Sequence, residues 1–229
     1  MGRDYRYRRA YLHGVGQRLN FLFEMGHFMR RFLIALFLPL FLANCAEPVW
    51  APDEAVSRAR YVSNEGPSIT LFTVVRKLGG EGAHSGIMIN GSQRVLFDPA
   101  GTWHHPNAPE RNDLFYGITP SLKQFYIDYH ARSTYDVYEQ RVPVSAAVAE
   151  LAIQRAQANG AVGKALCGNA ISSILGDLPG FEAVKRTYFP KHIMREFAKL
   201  PGVVTIIHND EDADNNQALL ANQLQTTAP

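Results

Sequence analysis

Cysteine is scarce in this chain: 229 residues hold two, Cys45 and Cys167, too few for a disulfide framework. Charge of one sign is missing as well. The formal net charge is +2, and much of the basic excess lies near the N-terminus, at Arg3, Arg6, Arg8, Arg9, Arg18, Arg30 and Arg31. Beyond it no basic stripe interleaves with aromatics, so nucleic-acid binding has no support. No apolar run is long enough for a comfortable transmembrane helix, which needs roughly 20 residues. No internal repeat is found. What is present is an ordinary globular composition, 46% hydrophobic and 11% aromatic, over a length that suits one domain or two small ones.

Arg30-Arg31 precedes an apolar run from Phe32 to Ala43. A charged region followed by a short apolar core is the layout of an export signal, and Pro39 inside the run argues against a stable span. Leu42-Ala43-Asn44-Cys45 resembles a bacterial lipobox, whose cysteine is lipidated and becomes the mature N-terminus; Asn44 stands where a small residue is usual. Arg30-Arg31-Phe32-Leu33 is similar to a twin-arginine signal. Residues 1–45 are therefore expected to be a signal peptide with a long basic lead, with Met25 and Met29 as alternative starts. Cys45 is the expected lipidation site, with simple cleavage near Cys45 or Ala46 as the alternative. The mature protein is then expected in the periplasm or anchored to an envelope membrane, an oxidising setting for a free thiol.

Residues 46–66 are polar, hold Pro48 and Pro52, and read as a tether or an irregular entry to the domain. Ser68–Val75 is dense in β-branched and aromatic residues and predicts a strand. Residues 101–118 form a long connection of the kind used as a lid or binding loop. Thr119 as cap and Pro120 at the first helical position open a helix, with Leu122, Phe125, Tyr126 and Tyr129 on one face. Tyr135–Val142 alternates as a strand. Ser145 caps a helix that closes at Asn159-Gly160, and Cys167–Leu175 and Pro190–Leu200 predict two more. Val203–Ile207 reads as a strand, and residues 209–229 as a frayed or disordered acidic and polar tail in which Gln217–Leu224 can turn transiently helical. Strands and helices without a βαβ rhythm predict an α+β fold, an antiparallel sheet with helices packed on it, over residues 67–208.

Within that domain Ala83–Asp98 reads as a β-hairpin around Asn90-Gly91. A turn at or near that pair places Phe97, Asp98 or Pro99 opposite His84. The middle register puts Asp98 there, with Cβ atoms roughly 5 Å apart on one face. An imidazole held by a carboxylate is the base and orienter of a nucleophilic triad. Cys167, at a predicted helix N-terminus between Gly163 and Gly168, is the candidate nucleophile: the helix dipole and free N–H groups there favour a thiolate. The plainer alternatives are a core-filling cysteine, a strand histidine bonded to a carbonyl, and Asp98 capping the turn Asp98-Pro99-Ala100-Gly101. His104-His105 invites a metal reading, but adjacent histidines on a strand point apart and no helical His pair exists. No metal site and no cofactor is assigned. His130, His192 and His208 read as surface or helix-end residues.

A cysteine opening a helix, with His84-Ser85-Gly86 opening a strand and Asp98 ending the next, resembles the papain-like arrangement. The order of His84 and Asp98 before Cys167 is similar to the circularly permuted branch of the NlpC-like thiol hydrolases and acyltransferases, over roughly residues 68–208. Leu166 stands where several permuted relatives have Asn, and Asp98 where some have a second His. The resemblance implies that His84 deprotonates Cys167, that Asp98 orients His84, and that the thiolate attacks an amide or ester carbonyl. With export, it implies a cell-envelope substrate, either a peptidoglycan peptide or an acyl lipid. Trp103, His104, His105 and Tyr116 are the expected substrate wall. The alternative is a non-enzymatic envelope lipoprotein, a binding module on a papain-like scaffold.

Overall fold

The computed structural model describes residues 48–226; the expected signal segment, Arg30-Arg31 and Cys45 lie outside the described residues. The fold is α+β. Seven strands form one open antiparallel sheet: β1 (Ser68–Arg76), β2 (Gly82–Asn90), β3 (Arg94–Phe97), β4 (Glu110–Arg111), β5 (Leu114–Tyr116), β6 (Tyr135–Pro143) and β7 (Val204–His208). Their order is β4-β5-β3-β2-β1-β6-β7. Six helices are found among the described residues: α1 (Asp53–Ala59), α2 (Pro120–His130), α3 (Ala146–Asn159), α4 (Cys167–Gly176), α5 (Pro190–Phe197) and α6 (Asn216–Thr226). None of them is long and apolar enough to cross a membrane.

The central strands read as unbroken apolar runs because both sheet faces are covered. Alternate side chains separate cleanly. Ile69, Leu71, Ile87, Ile89, Val95 and Phe97 face a core shared with α3, α4 and α5. Phe72, Val74, Met88, Leu96 and Val137 face a second core built with α2 and Trp103. The predicted caps are in place: Thr119 Oγ1 accepts from the Leu122 N–H and Ser145 Oγ from the Val148 N–H. At the far edge β7 is exposed, with Val204, Ile206 and Ile207 about half in solvent.

Three expectations are corrected. Residues 46–66 are no tether: the Ala51 N–H donates to the Glu110 carbonyl at 2.8 Å, the Arg94 N–H to the Tyr61 carbonyl at 2.8 Å, and the Arg111 guanidinium lies 4.6 Å from the Trp50 ring centroid. These are long-range backbone and cation–π bonds, which local periodicity does not register. The connection 101–118 is not a single loop, because β4 and β5 within it pair onto β3. The segment after residue 208 is not free chain. Lys77 Nζ donates to the Asp210 carbonyl at 2.7 Å, the Ser133 N–H to the Asp212 carbonyl at 2.8 Å, and Leu220 is buried against the second core.

Candidate functional site

The hairpin turn is one residue longer than a two-residue Asn-Gly turn. Asn90 pairs with Arg94 and Ile87 with Phe97, so residues 91–93 make the turn. Extending the ladder by one residue puts Asp98 beside Gly86 rather than beside His84. The offset is even, so Asp98 and His84 remain on the same face as diagonal neighbours. The contact survives: His84 Nε2 lies 2.7 Å from Asp98 Oδ1. A bulge assists it. Val74 pairs with His84 but Val75 with Gly82, leaving Ala83 as an extra residue that bends β2 next to His84.

Asp98 is buried, and its Oδ1 also accepts from the Tyr126 hydroxyl at 2.7 Å. Two glycines make room for that carboxylate. A Cβ on Gly86 would lie 2.4 Å from the Tyr126 hydroxyl, and one on Gly101 would lie 1.8 Å from Asp98 Oδ2. Burial by itself would raise the Asp98 pKa; the charge and hydrogen bond of His84, the charge of His130 and the Tyr126 hydroxyl outweigh it and hold the carboxyl below its usual range. Tyr126 is thus a positioning residue for Asp98. Tyr126→Phe is expected to lower the unfolding free energy by about 2 kcal/mol, the scale of a hydrogen bond to a charged acceptor, in urea denaturation at pH 7. It is also expected to shift the pH profile of Cys167 alkylation to higher pH, which a purely packing role would leave in place.

Cys167 is the first residue of α4, behind Leu166, which offers no side-chain cap. The leading N–H groups of the helix are therefore free to meet the sulfur or an oxyanion. β3 stops pairing at Ile87, while β2 runs on to Gly82. Beside this unzipped stretch the Cys167 sulfur is close enough to the His84 ring and to the Ser85 and Gly168 backbone for each to favour the thiolate. His84 Nε2 is taken by Asp98, which leaves Nδ1 for the thiol. Burial of Cys167 raises its pKa; the His84 bond and charge, with the two backbone N–H groups, reverse this and leave the thiol below its ordinary value. For His84, burial favours the neutral ring, but the Asp98 charge and hydrogen bond, followed by Cys167, push its pKa up to about 10. Both shifts act in one direction, favouring a thiolate facing an imidazolium over the neutral pair.

The chain leading to Cys167 is held from the Asp98 side. Asp113 Oδ2 accepts from the Val162 N–H at 2.8 Å and from the Ala100 N–H at 3.2 Å, so one carboxylate ties the lead-in of the nucleophile to the loop after Asp98. Ala165, two residues before Cys167, is held at φ 64°, a left-handed conformation that costs a non-glycine residue about 1 kcal/mol. Strain of this kind is retained where surrounding contacts over-determine the backbone.

His130 completes the cluster: of the two expected placements it takes the helix end, as the last residue of α2, and it is buried there rather than on the surface. Its ring stacks on His84 at 5.6 Å between centroids, with 11° between planes, and its Nδ1–H donates to the Tyr126 carbonyl at 2.9 Å. Burial lowers its pKa to about 4, against the raising effect of Asp98. The folded state therefore binds one proton fewer than the unfolded chain between about pH 4 and the ordinary histidine value near 6.5. Stability is full above pH 6.5 and falls through this window by about 3 kcal/mol. His130→Asn, whose amide can keep the bond to the Tyr126 carbonyl, is expected to flatten that acid limb in denaturation midpoints measured from pH 4 to 7.

The donor atoms of His84, Asp98 and His130 lie within 4.8 Å of one another, close enough to share a cation. Such an ion would compete with the bond that orients His84 on Asp98. The expected substrate wall is corrected. Trp103 is 2% exposed in the second core and Tyr116 is 3% exposed in the first; both are too large and apolar to leave outside. His104 is exposed, and its Nδ1 is 3.4 Å from the Thr102 carbonyl. His105 lines a cavity with Leu122 and Phe125 that His84 does not border. Beside His84 lies a cavity of about 490 Å³ bounded by Gly101, Thr102, Tyr129, His130 and Asn216. Tyr126 and His130 carry a signal that the sequence did hold: both lie one turn apart on the apolar face of α2, where a histidine needs a partner. Compared with family models, curated proteins and solved structures, the chain finds no match.

Proposed function

We propose that this protein is a thiol hydrolase or acyltransferase of the circularly permuted NlpC-like type, working through Cys167, His84 and Asp98. The observation that carries the reading is the His84 ring, whose Nε2 lies 2.7 Å from the buried Asp98 carboxylate and which also acts on the Cys167 thiol. Core filling alone would not require a charged orienter or N–H groups aimed at the sulfur. In the proposed reaction the Cys167 thiolate attacks an amide or ester carbonyl. The oxyanion is met by N–H groups at the start of α4, and the His84 imidazolium gives its proton to the leaving amine or alcohol. An acyl thioester remains on Cys167. Water or another nucleophile, deprotonated by His84, then attacks the thioester and frees the thiolate. The proposed setting is the bacterial envelope, through the segment 1–45 and lipid on Cys45, with a peptidoglycan peptide or an acyl lipid as substrate.

The test uses p-nitrophenyl hexanoate. A burst of nitrophenolate equal to the enzyme, with one hexanoyl group on the Cys167 peptide by mass spectrometry, is the expected result. Cys167→Ser is expected to lose the burst. No burst and no acyl adduct at pH 7 would favour the binding-module reading.

A further inference from the structure

Three large apolar side chains stand exposed around the start of α4. Phe189 is 72% exposed, Tyr188 59% and Leu78 86%. They belong to one rim. The Tyr188 carbonyl packs on Gly168, 2.6 Å from where a Cβ would be, so this segment abuts the nucleophile's helix. Leu78 lies in the β1–β2 turn, which Lys191 Nζ fastens to α5 by donating to the Gly80 carbonyl at 2.6 Å. Cations border the same rim. Lys164, Lys185, Arg186 and Lys191 form no ion pair among the described residues. Lys164, Lys185 and Arg186 are exposed; the Lys185 charge acts on Glu182, and Arg186 donates to Ser173 Oγ at 2.6 Å. Exposed aromatic tips beside exposed cations that form no ion pair match the two layers of an anionic membrane surface, the acyl boundary and the headgroup charge.

We propose that this rim docks on an anionic lipid bilayer and brings the segment abutting the start of α4, where Cys167 lies, to the membrane surface. Tyr188, Phe189 and Leu78 enter the interface, and Lys164, Lys185 and Arg186 meet the headgroups. Where the hydrolase reading holds, on which this consequence rests, the substrate is a molecule displayed at that surface rather than one free in solution.

The test uses the full chain carrying Phe189→Trp, with the wild-type emission of Trp50 and Trp103 subtracted. Vesicles are phosphatidylcholine with 30% phosphatidylglycerol, or phosphatidylcholine alone, each with doxyl-labelled lipid. The expected result is a blue shift of the introduced indole and at least fivefold stronger quenching on the anionic vesicles. Lys164→Glu with Lys185→Glu is expected to remove most of that quenching. An indole that does not respond, even where the chain sediments with vesicles through its N-terminal segment, overturns the proposal. Equal quenching on both vesicle types overturns it too. Alkylation of Cys167 at pH 6, followed in the same samples, reports separately on fold and on the hydrolase reading. A slow thiol with intact docking would sink that reading alone.

Discussion

Replacing His84 by alanine is expected to slow alkylation of Cys167 at pH 6 by about 100-fold. An ordinary cysteine thiol, with a pKa near 8.5, is only about 0.3% thiolate at that pH. In the wild-type protein the imidazolium beside Cys167 holds the thiol below its ordinary value, which reduces this deficit. Without the ring, burial acts unopposed by charge and the thiol rises. Thiolates of lower pKa are weaker nucleophiles, which trims the ratio. The measurement is the iodoacetamide rate from pH 5 to 10, read on the Cys167 peptide so that Cys45 does not contribute. The wild-type rate should be high well below pH 8 and the variant should climb only toward pH 9. Superimposable profiles would make Cys167 a structural cysteine and return the protein to the binding-module reading.

Asp98→Ala is expected to lower the unfolding free energy by about 3–5 kcal/mol, because it removes one partner of a buried charged pair. The loss has two parts. His84 keeps a buried ring whose charge is no longer balanced, and the Tyr126 hydroxyl is left without its acceptor in the second core. Asp98→Asn keeps the shape and one acceptor oxygen, so it should cost less than the alanine. It should nevertheless lose the low-pH reactivity of Cys167, since the amide no longer favours the imidazolium. Urea denaturation at pH 7 gives the first comparison and the alkylation profile the second. If alanine costs less than about 1 kcal/mol, Asp98 is not the buried charged partner the geometry describes.

How much of this was legible in the sequence depends on which interaction decides each feature. Caps, apolar periodicity and the Asn-Gly signal are local, and they located α2, α3, α4 and the β2–β3 hairpin. The pairing of His84 with Asp98 was reached through a register two residues away from the true one. It holds because strand side chains repeat every second residue, so an even error keeps the face. Of the neighbours of that pair, the one-turn spacing of Tyr126 and His130 was legible but not what they bind. Tyr126 reads as one more residue of an apolar stripe, and only the sheet opposite it turns its hydroxyl into a ligand for Asp98. Asp113 binds two backbone N–H groups, of Ala100 and Val162, that no sequence pattern brings together. Trp103 and Tyr116 were expected at a substrate surface because aromatic residues in a long connection look available. The pairing of β5 on β3, and the packing of Trp103 on Phe115 and Tyr126, place them inside.

The unzipped stretch of β2 has a consequence for proton inventory. Between about pH 6.5 and 8.5 an unfolded chain carries a neutral histidine and a protonated thiol, one proton for the two groups. In the folded pair the His84 pKa is raised to about 10 and the Cys167 pKa is lowered, which moves that proton from sulfur toward imidazole. Folding therefore takes up protons at His84 and gives them up at Cys167, and the two contributions to the slope of stability against pH have opposite signs. To the extent that they offset, the site gains a readier nucleophile while the fold around it feels little of where the proton sits.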